Sequence, residues 1–308
     1  FQPSVSAIVS LIAASTRLSP GDEILSWVEE YPSNVRAWSA CAKSTGARLV
    51  LVDRSRLPSV AQLQECITPR TKVVTVSSIQ SLDGAAADLT ALRAACDRVG
   101  AILLLDVSQH LGVVPFDFAQ SGADYAYSVS HKWLLGPPGV GLLVAKRGVQ
   151  TALQTQVHGT TNYQGELSRN FDPGQSLRED LGRLEGGTPP LMAALATAAS
   201  ARALQSVGVP HIQARALRVR TMLIEQMAVY GVSLIGDDMA RAVSPIAAFW
   251  MPDASLRQAW VSSLEKVGVQ FIVRGDVLRL SPWALSDAEM EELRDLIAQA
   301  AGMVKQPR

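Results

Sequence analysis

The chain has 308 residues, of which 48% are apolar, so it can bury a large core and suggests one large domain with a smaller one. Its 28 basic and 28 acidic residues cancel, which gives no electrostatic reason to expect nucleic acid or an anionic membrane as a partner. No apolar run reaches membrane-spanning length, and the chain does not begin with a leader-like segment. We therefore expect a cytoplasmic protein that binds small molecules and no membrane.

The cysteines give no support to a disulfide-bonded protein or to a metal-binding one. Cys41, Cys66 and Cys96 are odd in number, far apart, and lie in segments with a helical pattern. This arrangement favours neither a disulfide framework nor a metal site, and it fits a reducing compartment.

The first two hundred residues alternate short apolar runs with helical patterns. Runs rich in Val, Ile and Leu predict buried strands at 47–53, 72–77 and 101–106, with a further strand at 140–145. Asp88 is placed to cap a helix that Gly100 ends before the third strand. Repeated strand-helix-strand units predict an α/β fold with a mostly parallel sheet and helices on both faces. Ligands bind such sheets at the carboxyl ends of strands, where Asp106 lies.

The pattern changes after a helix predicted at 189–207. The last third of the chain reads as a smaller α/β domain. Its predicted strands are 246–251, 269–273 and 277–281, and its predicted helices are 211–230, 255–267 and 286–301. We therefore predict a large cofactor-binding domain at 1–208 and a small domain at 209–308. Residues 158–187 lack periodicity and predict a long, functional loop.

Lys132 and Asp106 form the most informative pair in the sequence. A lone lysine is usually a solvated surface residue, and a strand-end aspartate commonly caps a turn. Lys132, however, lies between small or hydroxyl residues and a Gly-Pro-Pro-Gly-Val-Gly turn. A pyridoxal phosphate enzyme needs a lysine that holds the cofactor as a Schiff base and a carboxylate that keeps the ring nitrogen protonated. Lys132 and Asp106 are the candidates for these catalytic roles.

Neighbouring polar residues are weaker candidates. Gln109, three residues after Asp106, has the reach to hydrogen-bond the ring oxygen of the cofactor, although an ordinary loop residue would look the same. His131 has the position to contact the phosphate or the ring. His158 and His211 read as surface or packing residues, and the sequence leaves His110 open.

These motifs resemble a known family. Asp106-x-x-Gln109, Ser130-His131-Lys132 and the glycine-rich turn are similar to the class V aminotransferase family of fold type I. That family includes cysteine desulfurases, selenocysteine lyases, kynureninase and isopenicillin N epimerase. The resemblance covers nearly the whole chain and implies pyridoxal 5′-phosphate as cofactor, an amino-acid substrate and a homodimer.

The resemblance also implies roles for residues elsewhere in the chain. Ser4 and Val5 match a phosphate-binding turn at a helix start. Tyr31 matches the aromatic or histidine residue that stacks on the pyridine ring, and Ser130 is a candidate phosphate contact. Thr188 matches a threonine that reaches the phosphate in the neighbouring subunit. Arg279 matches an arginine that holds the substrate carboxylate, whereas without the resemblance it reads as an exposed residue on a half-buried strand.

The sequence also departs from the family pattern. Val129 replaces a small or hydroxyl residue three before the lysine, so either Ser128 or Ser130 contacts the phosphate. The asparagine before the aspartate strand has no clean counterpart, with Gln80 or Ser81 nearby. By comparison with the family, we expect this chain to lack the segment that precedes the phosphate turn. Desulfurases carry a cysteine just before the carboxylate arginine, and no cysteine follows Cys96 here.

These observations rank the functional hypotheses. A desulfurase is disfavoured because the expected thiol is missing. We favour a pyridoxal phosphate enzyme that acts at the α-carbon of an amino acid, either as a carbon-sulfur lyase or as an epimerase, with a transaminase close behind. A catalytically silent cofactor-binding homologue is the non-enzyme alternative. The sequence does not name the substrate.

Overall fold

A computed structural model describes residues 1–53, 60–165, 174–236 and 242–304. The chain forms two compact units. The first contains Phe1–Ser78, Ala87–Gly112 and Phe116–Ser206, and the second contains Ile79–Ala86, Val113–Pro115 and Val207–Arg308. The predicted boundary at 208 lies beside the last of these divisions, between Ser206 and Val207, and stays a prediction. Two short segments of the first 208 residues, Ile79–Ala86 and Val113–Pro115, belong to the second unit.

A six-stranded sheet forms the centre of the first unit, in the order β2-β1-β3-β4-β5-β6. All neighbours pair in parallel except β6, which runs antiparallel to β5. The strands are β1 (Glu23–Trp27), β2 (Arg48–Val52), β3 (Thr71–Ser77), β4 (Ile102–Asp106), β5 (Tyr125–Val129) and β6 (Gly141–Ala145). The predicted mostly parallel α/β fold is therefore confirmed.

Successive strand residues point to opposite faces of this sheet, and each face has its own hydrophobic cluster. In β4, Leu104 packs with the first two helices, whereas Leu103 and Leu105 pack with the third. The helices of the unit are α1 (Val5–Ser15), α2 (Pro32–Thr45), α3 (Leu89–Val99), α4 (Phe118–Ser121) and α5 (Leu191–Val207). Burial on both faces explains why the central strands read as continuous apolar runs.

Several local predictions meet different outcomes. Asp88 caps α3 through a 2.9 Å hydrogen bond from the Ala91 amide, and Gly100 ends it in the left-handed conformation, as predicted. The prediction that 47–53 is a buried strand is wrong in its burial, because β2 is a partly exposed edge strand. Strands β1 and β5 were not predicted, since their mixed polar and aromatic residues give no apolar run. The predicted loop 158–187 is irregular where described, apart from a 3₁₀ turn at Leu181–Leu184; residues 166–173 lie outside the described part.

The second unit contains an antiparallel sheet in the order β7-β8-β10-β9. Its strands are β7 (Ser233–Leu234), β8 (Ala247–Trp250), β9 (Ile272–Arg274) and β10 (Val277–Leu280), and its helices are α6 (Val209–Val229), α7 (Ala254–Lys266) and α8 (Asp287–Val304). Strand β9 begins later than predicted. Segment 79–86 packs tightly in this unit: a Cβ on Gly84 would lie 2.9 Å from the Cβ of Ile246. Among the described helices, none is long and apolar enough to cross a membrane.

Candidate active site

Asp106 ends β4 in the middle of the carboxyl edge of the parallel sheet. It pairs in register with Ser77 of β3 and Tyr127 of β5, and it is only 5% exposed. One carboxylate oxygen, Oδ1, accepts a 2.8 Å hydrogen bond from the Ser108 amide. The other, Oδ2, accepts a 2.8 Å hydrogen bond from Nδ2 of Asn34 in α2. Donors from two different elements therefore fix the position of this carboxylate.

Lys132 lies in the loop between β5 and β6 and is partly buried. Its Nζ lies 5.2 Å from the centre of the Tyr31 ring, which is within cation-π range. The loop turns tightly here, with Leu135 in the left-handed region at φ 55°. A Cβ on Gly112 would lie 2.5 Å from the Trp133 carbonyl oxygen, so only glycine allows the segment after β4 to approach the lysine loop.

Gln109 links the aspartate turn to the lysine loop. Its Oε1 accepts a 2.9 Å hydrogen bond from the indole nitrogen of Trp133, and the side chain is buried. Because the amide oxygen is engaged, the amide N–H groups are the donors available to a ligand oxygen. This geometry is compatible with the predicted ring-oxygen contact, which stays a prediction.

The serines before the lysine make their hydrogen bonds within the loop itself. The Ser130 hydroxyl donates to the carbonyl oxygens of Pro137 and Val140, and the side chain is fully buried. The Ser128 hydroxyl donates to the Val129 carbonyl at 3.0 Å. His131 is exposed. The proposed phosphate contacts of Ser130 and His131 stay predictions.

The predicted phosphate turn is the start of a real helix. Ser4 is the N-cap of α1, and its Oγ accepts a 3.1 Å hydrogen bond from the Ala7 amide, while Val5 is buried. Gly141 of β6 lies directly against this turn, since a Cβ there would lie 2.8 Å from the Ser4 carbonyl carbon. A helix start with unpaired backbone N–H groups suits an anion such as phosphate.

Thr188 and Arg279 lie apart from this group in the chain. Thr188 is exposed, before α5. Arg279, in the second unit, is only 9% exposed and donates to the Ser81 carbonyl oxygen, so its reading as an exposed residue on a half-buried strand is wrong. Burial, together with the positive charge of Arg274, lowers the pKa of Arg279 to about 10. Its neighbours Leu278 and Leu280 pack in the core, as predicted.

Sequence reasoning missed two residues at this edge, Glu30 and Asn34. Glu30 is 6% exposed, and its carboxylate accepts hydrogen bonds from the Ser77 amide at 2.7 Å and the Ser77 hydroxyl at 2.5 Å. Asn34 donates to Glu30 Oε1 at 3.2 Å in addition to its bond to Asp106. Only their spacing, four residues apart around the proline that starts α2, signals that the two side chains meet.

The chain matches the family model described as "Aminotransferase class-V" over residues 4–275. It is 30% identical to a probable cysteine desulfurase of Aeropyrum pernix, over 67% of this chain and 50% of that protein. It is 31% identical to cysteine desulfurase CsdA of Escherichia coli, over 59% of this chain and 45% of that protein. The chain thus spans about half the length of these curated relatives.

Solved structures show the same fold. An apo cysteine desulfurase from Thermococcus onnurineus NA1 superposes with a TM-score of 0.86 at 19% identity, over 98% of this chain and 78% of that one. The cystine C-S lyase C-DES, in complex with its product cysteine persulfide, gives 0.86 at 20% identity, over 97% and 80%. The chain belongs to the class V aminotransferase family, and its fold is that of fold type I pyridoxal phosphate enzymes.

Pyridoxal phosphate is the cofactor that family membership indicates, and the described residues fit it. A buried carboxylate held only by N–H donors at Asp106 suits a protonated ring nitrogen. An amine beside an aromatic ring at Lys132 and Tyr31 suits attachment and stacking. The start of α1 offers backbone N–H groups for a phosphate.

Proposed function

We propose that this chain is a pyridoxal phosphate-dependent enzyme that acts at the α-carbon of an amino acid, as a carbon-sulfur lyase or an epimerase. The observation that carries the proposal is the juxtaposition of the Asp106 carboxylate, Lys132 and Tyr31 at one edge of the sheet. Family membership and the cysteine desulfurase names of its curated relatives support it.

The roles of the side chains follow from their chemistry. When bound, pyridoxal phosphate supplies a conjugated ring that accepts the electron pair of a bond broken at the α-carbon. The Asp106 carboxylate would keep a proton on the ring nitrogen, and Tyr31 would stack on the ring. The Lys132 amine would take up the α-proton, and in epimerisation a proton would then be delivered to the opposite face of the α-carbon. Arg279 would hold the substrate carboxylate, which is the role of its counterpart in the family.

The cysteines argue against persulfide formation on this chain. A desulfurase needs a reactive thiolate. Burial raises the pKa of the Cys41 thiol, raises that of Cys66 together with the charge of Glu65, and raises that of Cys96 to about 11. Raised pKa values disfavour the thiolate that persulfide formation requires, which supports the preference against a desulfurase. None of the three cysteines, all of which lie in the described part of the chain, forms a disulfide bond, and we therefore also propose a cytoplasmic location.

The reaction is identified by a product screen. Purified protein with added cofactor is incubated with a panel of amino acids, and mass spectrometry together with chiral chromatography scores keto acid, released sulfide and inverted stereocentres. Sulfide with a keto acid identifies the lyase, and inversion alone identifies the epimerase. Transfer of the amino group to a keto-acid acceptor identifies a transaminase. If cofactor binds and none of these products forms with any amino acid, the chain is a silent homologue and the enzymatic proposal is wrong.

We also expect a homodimer. The supporting observation is the exposure of Thr188, whose family counterpart reaches the phosphate in the other subunit. Sedimentation velocity of the protein with bound cofactor should show a dimer. Thr188→Val should weaken cofactor binding without dissociating the dimer. A fully active monomer would contradict this expectation.

A further inference from the structure

The carboxylates of Glu30 and Asp106 are joined by a single amide at the carboxyl edge of the sheet. Asn34 has two N–H bonds on Nδ2, and each goes to a different carboxylate: Glu30 Oε1 at 3.2 Å and Asp106 Oδ2 at 2.8 Å. All three residues are buried, and Asn34 is completely so. Because both N–H groups donate to carboxylates, the side-chain amide of Asn34 has one favourable orientation.

The orientation of Asn34 is not set by its oxygen. In the described part of the chain, Oδ1 of Asn34 is buried and has no hydrogen-bond partner. A buried acceptor without a partner is unfavourable for stability. Reversing the amide would place this oxygen against two carboxylates, which is worse. The Glu30 carboxylate therefore keeps the N–H of Asn34 directed at Asp106.

Glu30 also fixes the neighbouring aromatic residue. Its Oε1 accepts a 2.7 Å hydrogen bond from the Tyr31 amide at the start of α2, while its Oε2 accepts from the Ser77 amide at the end of β3. This ties the backbone of Tyr31, whose ring lies beside Lys132, to the sheet edge. A carboxylate at a helix N-terminus is also favoured by the helix dipole.

The nearby tyrosine reports the same concentration of negative charge. Tyr127 is fully buried on the strand next to Asp106, and its hydroxyl lies 3.5 Å from that of Thr75. Burial raises the pKa of Tyr127 well above its usual range, and the charges of Asp106 and Glu30 raise it further. The phenol is therefore neutral.

We infer that Glu30 and Asn34 are positioning residues for the cofactor ring: Asn34 aims the Asp106 carboxylate at the ring nitrogen, and Glu30 holds both Asn34 and Tyr31 in place. This inference rests on the proposed function, because it assigns the ring nitrogen to Asp106. Neither residue contacts the reacting atoms in this account. Their effect passes through Asp106 and Tyr31.

The experiment compares Asn34→Ala with Glu23→Gln in the full chain. Glu23 is also a buried glutamate, at the opposite end of β1, so the control loses buried hydrogen bonds far from the site. Dissociation constants for pyridoxal phosphate come from fluorescence titration, and the protonation state of the ring comes from the ¹⁵N resonance of ¹⁵N-labelled cofactor. Asn34→Ala should weaken binding by about ten-fold and move the resonance toward an unprotonated ring. Glu23→Gln should match the wild type in both.

The outcomes separate the two claims. If Asn34→Ala matches Glu23→Gln in affinity and resonance, the positioning role is wrong. If the wild type itself binds no cofactor, the proposed function fails instead. Should Asn34→Ala not fold, Ser77→Ala removes one donor from Glu30 and leaves Asn34 intact. It should give a smaller change in the same direction, and no change in either readout would overturn the inference.

Discussion

Strand β1 begins with the buried Glu23 and is followed by the buried Glu30, and the two glutamates have different environments. At the amino end, Glu23 forms ion pairs with Arg48 and Arg70, at 3.5 and 3.3 Å, and accepts a hydrogen bond from Thr68. Beyond the carboxyl end, Glu30 accepts hydrogen bonds from neutral amides and hydroxyls. Ion pairs with arginines hold the Glu23 carboxylate at the first end, whereas the hydrogen bonds above orient the Glu30 carboxylate at the second. The first arrangement stabilises the strand, and the second positions side chains of the candidate site.

The largest expected effect comes from removing the amine at the carboxyl end. Lys132→Ala should abolish the absorbance of lysine-bound cofactor and all turnover, because the Lys132 amine is the group beside Tyr31 that we assign to cofactor attachment. The free energy of unfolding should stay within about 0.5 kcal/mol of wild type, since the side chain is only partly buried. Absorbance spectra and urea titrations measure both. Unchanged cofactor absorbance would show that another lysine holds the cofactor.

The next largest effect tests the charge on the aspartate. Asp106→Asn should still bind cofactor but lower the turnover rate by about a hundred- to thousand-fold, because a neutral amide does not support a protonated ring nitrogen. Stopped-flow kinetics under saturating substrate measure the rate. Near-normal turnover would make Asp106 a structural residue that only caps its turn.

A smaller effect is expected at Arg279. Arg279→Lys should leave cofactor binding intact and lower kcat/KM for amino acids by about ten- to a hundred-fold, because lysine lacks the planar fork that binds a carboxylate in two places. Primary amines without a carboxylate should be nearly unaffected. Steady-state kinetics with paired amino acid and amine substrates make the comparison. Equal losses for both kinds of substrate would contradict the assignment of Arg279 to the carboxylate.

The smallest effect belongs to the amino end of β1. The hydrogen bond from Thr68, followed by the charges of Arg70 and Arg48, lowers the pKa of Glu23 below its usual value of 4.5. A carboxyl whose pKa is lower in the folded state stabilises the fold above its unfolded pKa, and this stabilisation disappears as the pH falls through the folded pKa. Glu23→Gln should therefore lower the free energy of unfolding by about 1–2 kcal/mol at pH 7. The loss is no larger because the side chains of Arg48 and Arg70 are mostly exposed, and exposed ion pairs contribute little to stability.

The pH dependence separates this account from a simple packing defect. Urea unfolding of wild type and Glu23→Gln should give free energies that differ at pH 7 and converge below the folded pKa of Glu23. A difference that stays constant across this range would mean that the charge of Glu23 is not what stabilises the strand.

Local patterns predicted much of the fold. The apolar runs of β3 and β4 and the capped helix α3 were identified because burial on both faces and local capping leave direct marks in the sequence. The edge strand β2 was assigned too much burial, because an apolar run does not say which strand lies at the edge. Strand β5 carries Tyr125 and Tyr127 among small residues and gives no such run.

The residues of the candidate site that lie in one sequence motif were predictable. Those that only the tertiary fold brings together were less so. Asp106, Gln109 and Lys132 lie close in sequence and stand out there. The bond between Asn34 and Asp106 joins residues 72 positions apart, and the burial of Arg279 depends on the Ser81 carbonyl 198 positions away. Such contacts depend on the tertiary fold, which local periodicity does not encode.

The most direct test of the central claim is to locate the cofactor on the chain. Wild-type protein with added pyridoxal phosphate is reduced with borohydride, digested and analysed by mass spectrometry. We expect a stoichiometric cofactor adduct on the peptide that contains Lys132, and none on that peptide in Lys132→Ala. An adduct on a different lysine, or no adduct above background, would contradict the assignment of this edge of the sheet as the active site.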